Sequence, residues 1–407
     1  MGEIVNEILQ SALQQLVGPA NWVDSQALGG LPAAGNPVSG AVVLDNPPRR
    51  AVEQLREEGF ARLHRFVVLP SSKAPRWLLP LGDRHGMLGG FHIYTPYARV
   101  PRMLKAAAER FIKAGWAGWG CPRVVLASKE PLPLEVLATK VTGERQPMLA
   151  LSLGMPGDLC KLTVQVMGAH GKILSYIKLP VCPQGVPRVE NEAAVLKCLW
   201  AFPELRPHIP RVLYAGEWSG GFVLVQSPGP LCPGPVEFGP LHERFLRLLR
   251  TAYRIDRPGA ALIEEVSARW RKIEPLLDGG CRELGERVLG TASEALDGAV
   301  IPCGIVHGDL VPWNTRVENG QLFVFDWESA AWGLPTLWDE FHFHVQVASL
   351  LNAGSGRHFP PKQTRVAGAL FLVYVINSLC QYIEGKAPPG VQVVEYRKRL
   401  LAKTLST

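Results

Sequence analysis

A chain of 407 residues is longer than one ordinary core supports and points to two or three domains. With 47% hydrophobic and 19% charged residues it is globular, which excludes wholesale disorder. The net charge of +7 is concentrated at the front, where residues 1–148 carry 17 Lys+Arg against 12 Asp+Glu; no Lys/Arg run stands out, so no nucleic-acid partner is expected, although an anionic partner such as a nucleotide, a phosphorylated glycan or a lipid surface would suit the excess.

The first residues, "MGEIVNEILQ", hold acids and no apolar core of a signal peptide, and position six lacks the Ser or Thr of a myristoylation site. Residues 25–48 are rich in Gly and Pro and read as loop. "RLHRFVVLPS" and "RWLLPLG" follow as strands, and "ARVPRMLKAAAERFIKAG" as a helix with Val100, Met103, Leu104, Ala107, Phe111 and Ile112 at helical spacing. A hairpin of "DLCKLTVQVMG" and "GKILSYIKLP", the helix "RVENEAAVLKCLWAF", and two strands meeting at Gly220–Gly221 complete a strand-rich block. Beyond a Pro/Gly break the pattern is helical to the end. Val366–Ile383 is 18 residues without charge, but Asn377, Ser378 and Gln381 interrupt it, so a buried helix is expected rather than a membrane span. Eight scattered cysteines with no CxxC pair fit a reducing compartment, and the expected location is cytoplasmic.

The chemistry is concentrated in "GIVHGDLVPWNTRVENGQLFVFDWESAAWG". Carboxylates at the ends of apolar strands lose hydration unless a charged group replaces the water. "TRV" and "QLFVF" flank an "ENG" turn and are expected to pair, bringing Asn314 near Asp326. A carboxylate and an amide oxygen together suit Mg²⁺, and Asp309 is placed to take a proton from an attacking hydroxyl.

HGDxxxxN followed by an apolar strand ending in DWE resembles the aminoglycoside phosphotransferase and choline kinase-like families. The resemblance covers roughly residues 150–345. It implies an α+β, bilobal protein-kinase-like fold, with a small β-rich lobe at 149–228, a helical lobe at 229–407, and an added N-terminal α/β domain at 1–148. A cleft between lobes would take the ligand. It further implies Asp309 as catalytic residue with His307 positioning its loop, Asn314 and Asp326 as Mg²⁺ ligands, and Asp339 supporting the loop from the following helix. Lys178 would meet the phosphates of ATP or GTP, held by Glu192 in preference to Glu190. Gly154 and Gly157 would lie in a phosphate-covering loop that departs from G-x-G-x-x-G, and the backbone of Val225 to Ser227 would meet the purine. Trp313 and Trp327 are expected beneath the loop, Glu328 at the surface or near metal, and His342 and His344 in core or surface.

The expected activity is transfer of the γ-phosphoryl group to a hydroxyl of a small molecule, such as a sugar, an aminoglycoside-like compound or another metabolite. A kinase acting on a glycan or lipid-linked precursor is an alternative. So is a nucleotide-binding pseudokinase with a partner-binding N-terminal region, through which the chain could also form an oligomer.

Overall fold

The computed structural model describes residues 20–23, 41–45, 47–71, 74–116, 120–154, 161–351, 364–385 and 391–404. They belong to two compact units, one drawn from residues 1–193 and 211–228, the other from 194–210 and 229–407.

The first unit is built on one sheet. Its strands are β1 (Ala20–Val23), β2 (Ala41–Asp45), β3 (Arg62–Leu69), β4 (Trp77–Pro80), β5 (Arg123–Ser128), β6 (Met148–Ser152), β7 (Lys161–Met167), β8 (Ile173–Pro180), β9 (Val212–Trp218) and β10 (Gly221–Gln226). They lie in the order β1-β2-β5-β3-β4-β6-β7-β8-β10-β9. The helices are α1 (Arg49–Glu57), α2 (Arg84–Gly90), α3 (Arg99–Lys113), α4 (Pro133–Thr142) and α5 (Val186–Leu199). Alternation decides which strand face is buried: Leu162, Val164 and Val166 of β7 are wholly covered and join Ile177 and Leu179 of β8 in one cluster. Each such side chain contributes about 1.5–3 kcal/mol by leaving water.

The boundary expected after residue 148 falls inside β6. That strand pairs with β4 through Leu78 and Leu151, and with β7 through Leu151 and Val164. The same core holds Phe66 and Val124 from before the boundary with Leu162 and Ile177 from after it. Main-chain pairing therefore runs straight through the boundary that the resemblance implied. A second difference lies at the front. Part of the Gly/Pro-rich stretch read as loop is β2, whose "AVVLD" pairs antiparallel with β5 and parallel with β1. Val43, fully buried, packs in one cluster with Phe66, Val124 and Leu126, burial that the flanking turn residues do not reveal.

The second unit is mainly helical: α6 (Pro240–Ala252), α7 (Gly259–Ile273), α8 (Gly279–Leu296), α9 (Trp338–Leu351), α10 (Arg365–Glu384) and α11 (Gln392–Thr404). Short strands β11 (Arg254–Pro258), β12 (Val300–Val306), β13 (Thr315–Glu318), β14 (Gln321–Val324) and β15 (Ala331–Pro335) form the sheets β11-β12-β15 and β13-β14. Among the described residues α10 alone is long and apolar enough to cross a membrane, yet 67% of its most apolar window is buried inside the protein. It packs in one cluster with Trp270 of α7, Val288 of α8, Phe341 of α9 and Leu401 of α11. Its apolarity is that of a core helix.

Candidate active site

Within the first unit, Lys178 sits on β8 between β7 and β10, opposite Thr163 and Leu224. Its Nζ donates to both carboxylate oxygens of Glu192 on α5, at 2.5 and 2.7 Å. Lys178 is 3% exposed and Glu192 fully buried. Two charges so deep would each cost several kcal/mol without close mutual pairing. Glu190 is exposed on the same helix and makes no such bond.

Gly154 has φ +70, and its carbonyl accepts from Arg76 Nη1 at 2.7 Å. Gly157 lies outside the described residues. Val225 stands in register with Ile177 on one side and Tyr214 on the other. The Ser227 N–H donates to the Arg211 carbonyl at 2.8 Å, and its hydroxyl accepts from the Arg211 N–H at 3.0 Å. Both residues thus give main-chain or hydroxyl groups to neighbouring chain. Of the backbone groups of Val225 to Ser227 expected to meet a purine, the Ser227 N–H is engaged by Arg211.

Within the second unit, the chain leaves β12 at Val306 and turns through His307-Gly308-Asp309. Gly308 has φ +77, and a Cβ there would fall 2.2 Å from the Ser329 carbonyl oxygen, so only glycine fits. Asp339, in the first turn of α9, accepts from the N–H groups of His307 (2.8 Å) and Gly308 (2.9 Å). Asp339 is 1% exposed, so these two main-chain donors supply what water cannot.

The fully buried His307 ring is used on both sides. Nδ1 accepts from the Asp309 N–H at 3.2 Å, which leaves the proton on Nε2, 3.0 Å from the Phe325 carbonyl. Trp327 stands edge-on to it at 4.6 Å and is itself buried. His307 is a strut that fixes the direction of Asp309; its nitrogens are spent within the loop, and a proton-accepting part in chemistry is not open to it. Trp313 is only half-buried.

The Asp309 carboxylate remains 35% exposed. Oδ2 accepts from Asn314 Nδ2 at 2.9 Å, and Oδ1 lies 2.9 Å from His342 Nε2. Each oxygen keeps a further lone pair for an incoming hydroxyl. His342 had been expected merely in core or surface; instead it holds Asp309. Its Nδ1 lies 3.1 Å from the Tyr374 hydroxyl on α10, so Tyr374 donates to Nδ1 and Nε2–H donates to the carboxylate. Burial pushes the Tyr374 phenol up to about 12, which keeps it a donor. One signal in the sequence pointed this way: Asp339 and His342 are three apart on a helix and share a face. A helix whose Asp339 clamps the loop brings His342 to it too. His344 goes elsewhere, its ring 5.4 Å from Phe238.

Asn314 gives Nδ2 to the Asp309 carbonyl and carboxylate, which leaves Oδ1 as the amide's remaining donor atom. Its carbonyl accepts from Phe325 N–H at 3.1 Å, and the hairpin β13–β14 pairs Thr315 with Val324 above it. Asn319 (φ +50) and Gly320 (φ +68) make the expected tight turn. The two hairpin bases thus place Asn314 beside the segment of Asp326, which adopts φ +71, ψ 56 at the head of the turn Trp327–Ser329. A free amide oxygen and a carboxylate are the hard oxygen donors that Mg²⁺ takes, so this pair fits that cation.

Residues 162–337 match the model of the phosphotransferase enzyme family. No curated protein matches the chain. Among solved structures, the GDP complex of wild-type aminoglycoside 2'-phosphotransferase-IIIa is 15% identical, covering 62% of this chain and 91% of its own at a TM-score of 0.42. The GDP and kanamycin complex of APH(2")-IIia is also 15% identical, covering 62% and 92% at 0.41. Aminoglycoside phosphotransferase APH(4)-Ia is 12% identical, covering 67% and 98% at 0.47.

Proposed function

We propose that the chain moves the γ-phosphoryl group of ATP or GTP to a hydroxyl of a small molecule, with Asp309 as the proton acceptor; the match of residues 162–337 to the phosphotransferase enzyme family model supports this reading. One observation carries the reading: a carboxylate about one-third exposed and oriented from both sides, by Asn314 Nδ2 and His342 Nε2, on a loop whose amides Asp339 clamps. Such a carboxylate is immobilised without being neutralised, as a base at a reacting hydroxyl must be.

In this reading Asn314 Oδ1 and the Asp326 carboxylate hold Mg²⁺, which when bound offsets charge on the transferring phosphoryl group. Lys178, fixed by Glu192, meets the nucleotide phosphates. Asp309 aligns the acceptor hydroxyl and takes its proton as the oxygen–phosphorus bond forms. The bond to the bridging oxygen breaks, and the nucleoside diphosphate leaves. Most of the rate comes from positioning and charge compensation.

The acceptor we infer is neutral or anionic, such as a sugar or another hydroxylated metabolite. Residues 149–407 carry 26 Lys+Arg against 24 Asp+Glu, with no acidic surplus to attract a polycation. The test is Mg²⁺-dependent release of ADP or GDP across a panel of sugars, nucleosides, aminoglycosides, choline, ethanolamine and lipid-linked glycans. An acceptor-dependent signal lost in Asp309→Asn supports the reading. Tight nucleotide binding with no turnover on any acceptor would favour a pseudokinase instead.

A further inference from the structure

The 15-residue helix α3 carries its apolar stripe on the wrong side for a core helix. Val100, Met103, Leu104, Ala107 and Phe111 recur at helical spacing, the pattern that ordinarily faces a core. Here Val100 is 65% exposed, Met103 71%, Leu104 66% and Phe111 60%, with Trp116 just past the helix at 57%. Ile112 is the one α3 side chain fully covered. A row of large apolar side chains left in water on a folded surface marks a place where something else covers them.

Two further features say what. The stripe is flanked by exposed Arg99, Arg102, Arg110 and Lys113, while the one acid of the helix, Glu109, faces Lys105 at 3.8 Å. Behind the stripe lies a cavity of about 680 Å³, in the range of ligand pockets. Its walls include Val67 of β3, Trp77 of β4, Met87 of α2 and, from α3, Leu104, Ala108 and Phe111. Among the described lining residues Lys105 alone is charged, and that ammonium is bound to the carbonyls of Phe91 (2.8 Å) and Tyr94 (2.6 Å). Leu104 and Phe111 belong to both features, so the cavity opens through the exposed stripe. A second copy of the chain would bring the same four cations face to face across a self-complementary contact, whereas an anionic bilayer pairs with them.

We propose that α3 docks this protein on an anionic lipid bilayer, with the stripe in the interface and one acyl chain of the leaflet in the cavity behind it. Arg and Lys along the helix meet lipid phosphates, each strengthening attachment about fivefold at low salt; Met103, Leu104 and Phe111 sink among the upper acyl carbons. The cavity then takes an apolar chain that its lining can accept without stranding a polar group.

The test is sedimentation of the full chain with vesicles of phosphatidylcholine alone and of an equimolar phosphatidylcholine–phosphatidylglycerol mixture. Binding is read without turnover, so the result stands apart from the activity proposed above. The protein should pellet with the anionic vesicles, stay in solution with the neutral ones, and be released by salt. Met103→Asp with Phe111→Asp, and separately Arg102→Glu with Arg110→Glu, should each weaken binding at least tenfold. All four side chains are exposed, and unchanged thermal midpoints confirm that the variants fold. Ala108→Phe, which fills the cavity and leaves the outer stripe intact, should weaken binding several-fold. A wild-type chain that stays in solution with anionic vesicles overturns the proposal, as do stripe variants that pellet like wild type. Ala108→Phe binding as well as wild type overturns the acyl-chain role. A dimer abolished by Met103→Asp with Phe111→Asp, without vesicle binding, would assign the stripe to a second copy and overturn the bilayer.

Discussion

The two charged constellations of this protein are built on opposite plans. Lys178 and Glu192 close on each other, two ions inside a sheet-and-helix core with almost no solvent. Asp309 is held as firmly, by Asn314 and His342, yet its carboxylate keeps a third of its surface in solvent. The first arrangement encloses each charge with its counter-charge, so removing one member takes away the close partner of a buried ion. The second keeps its charge available, so changing it should cost chemistry more than folding.

Substitution at each plan breaks the comparison in a different currency. Asp309→Asn should lower turnover by about a thousandfold, near 4 kcal/mol in barrier, with nucleotide affinity and unfolding midpoint unchanged. Turnover within a few-fold of wild type would remove Asp309 from the chemistry. Lys178→Met removes the ammonium that pairs with the buried Glu192 carboxylate and should destabilise the fold by about 3–5 kcal/mol. Urea unfolding measures it, and adding Glu192→Leu should restore much of the loss. If the double variant is no better than the single, loss of the buried carboxylate's counter-charge is not the cause.

A third case concerns buried imidazoles. Burial pushes His242 and His344 down to about 4 each, in mutual proximity. The unfolded chain binds protons near 6.5 while the folded one does not, so stability is full above that pH and falls as pH drops from 6.5 toward 4. Loss of about 2–3 kcal/mol is expected at His242, whose ring is wholly enclosed. Unfolding midpoints at pH 7 and pH 4.5 give the slope, which His242→Phe should flatten.

The smallest effect sharpens the role of His342. Removing its Nε2 donor with His342→Phe should lower kcat about tenfold, roughly 1.4 kcal/mol, with little change in KM. His342→Gln, which keeps a donor, should recover part of it. A change in stability alone, with kcat intact, would make the ring a packing residue.

How much of this was legible depends on distance along the chain. The loop with His307, Asp309 and Asn314, its "ENG" hairpin and the strand toward Asp326 lie within twenty residues, and turn chemistry over such a span dictates who meets whom. Glycine at 308 and left-handed Asn319-Gly320 are part of the same local code. The pairing of Lys178 with Glu192 joins a strand and a helix whose patterns were readable, but which Lys meets which Glu followed only from the family resemblance. His342 was misjudged because its ring meets Asp309 only through the docking of α9.

The N-terminal region shows the limit most plainly. The strands β3 and β4 and the amphipathic spacing of α3 were readable, since side-chain alternation and a 3.6-residue repeat are properties of the chain itself. Tertiary structure alone decided that β6 joins these strands to β7 in one sheet, and that the apolar stripe of α3 points outward over a cavity. A repeat states that one face differs from the other. Which face finds protein and which finds solvent is set by packing with residues far away in sequence, and no local pattern encodes it.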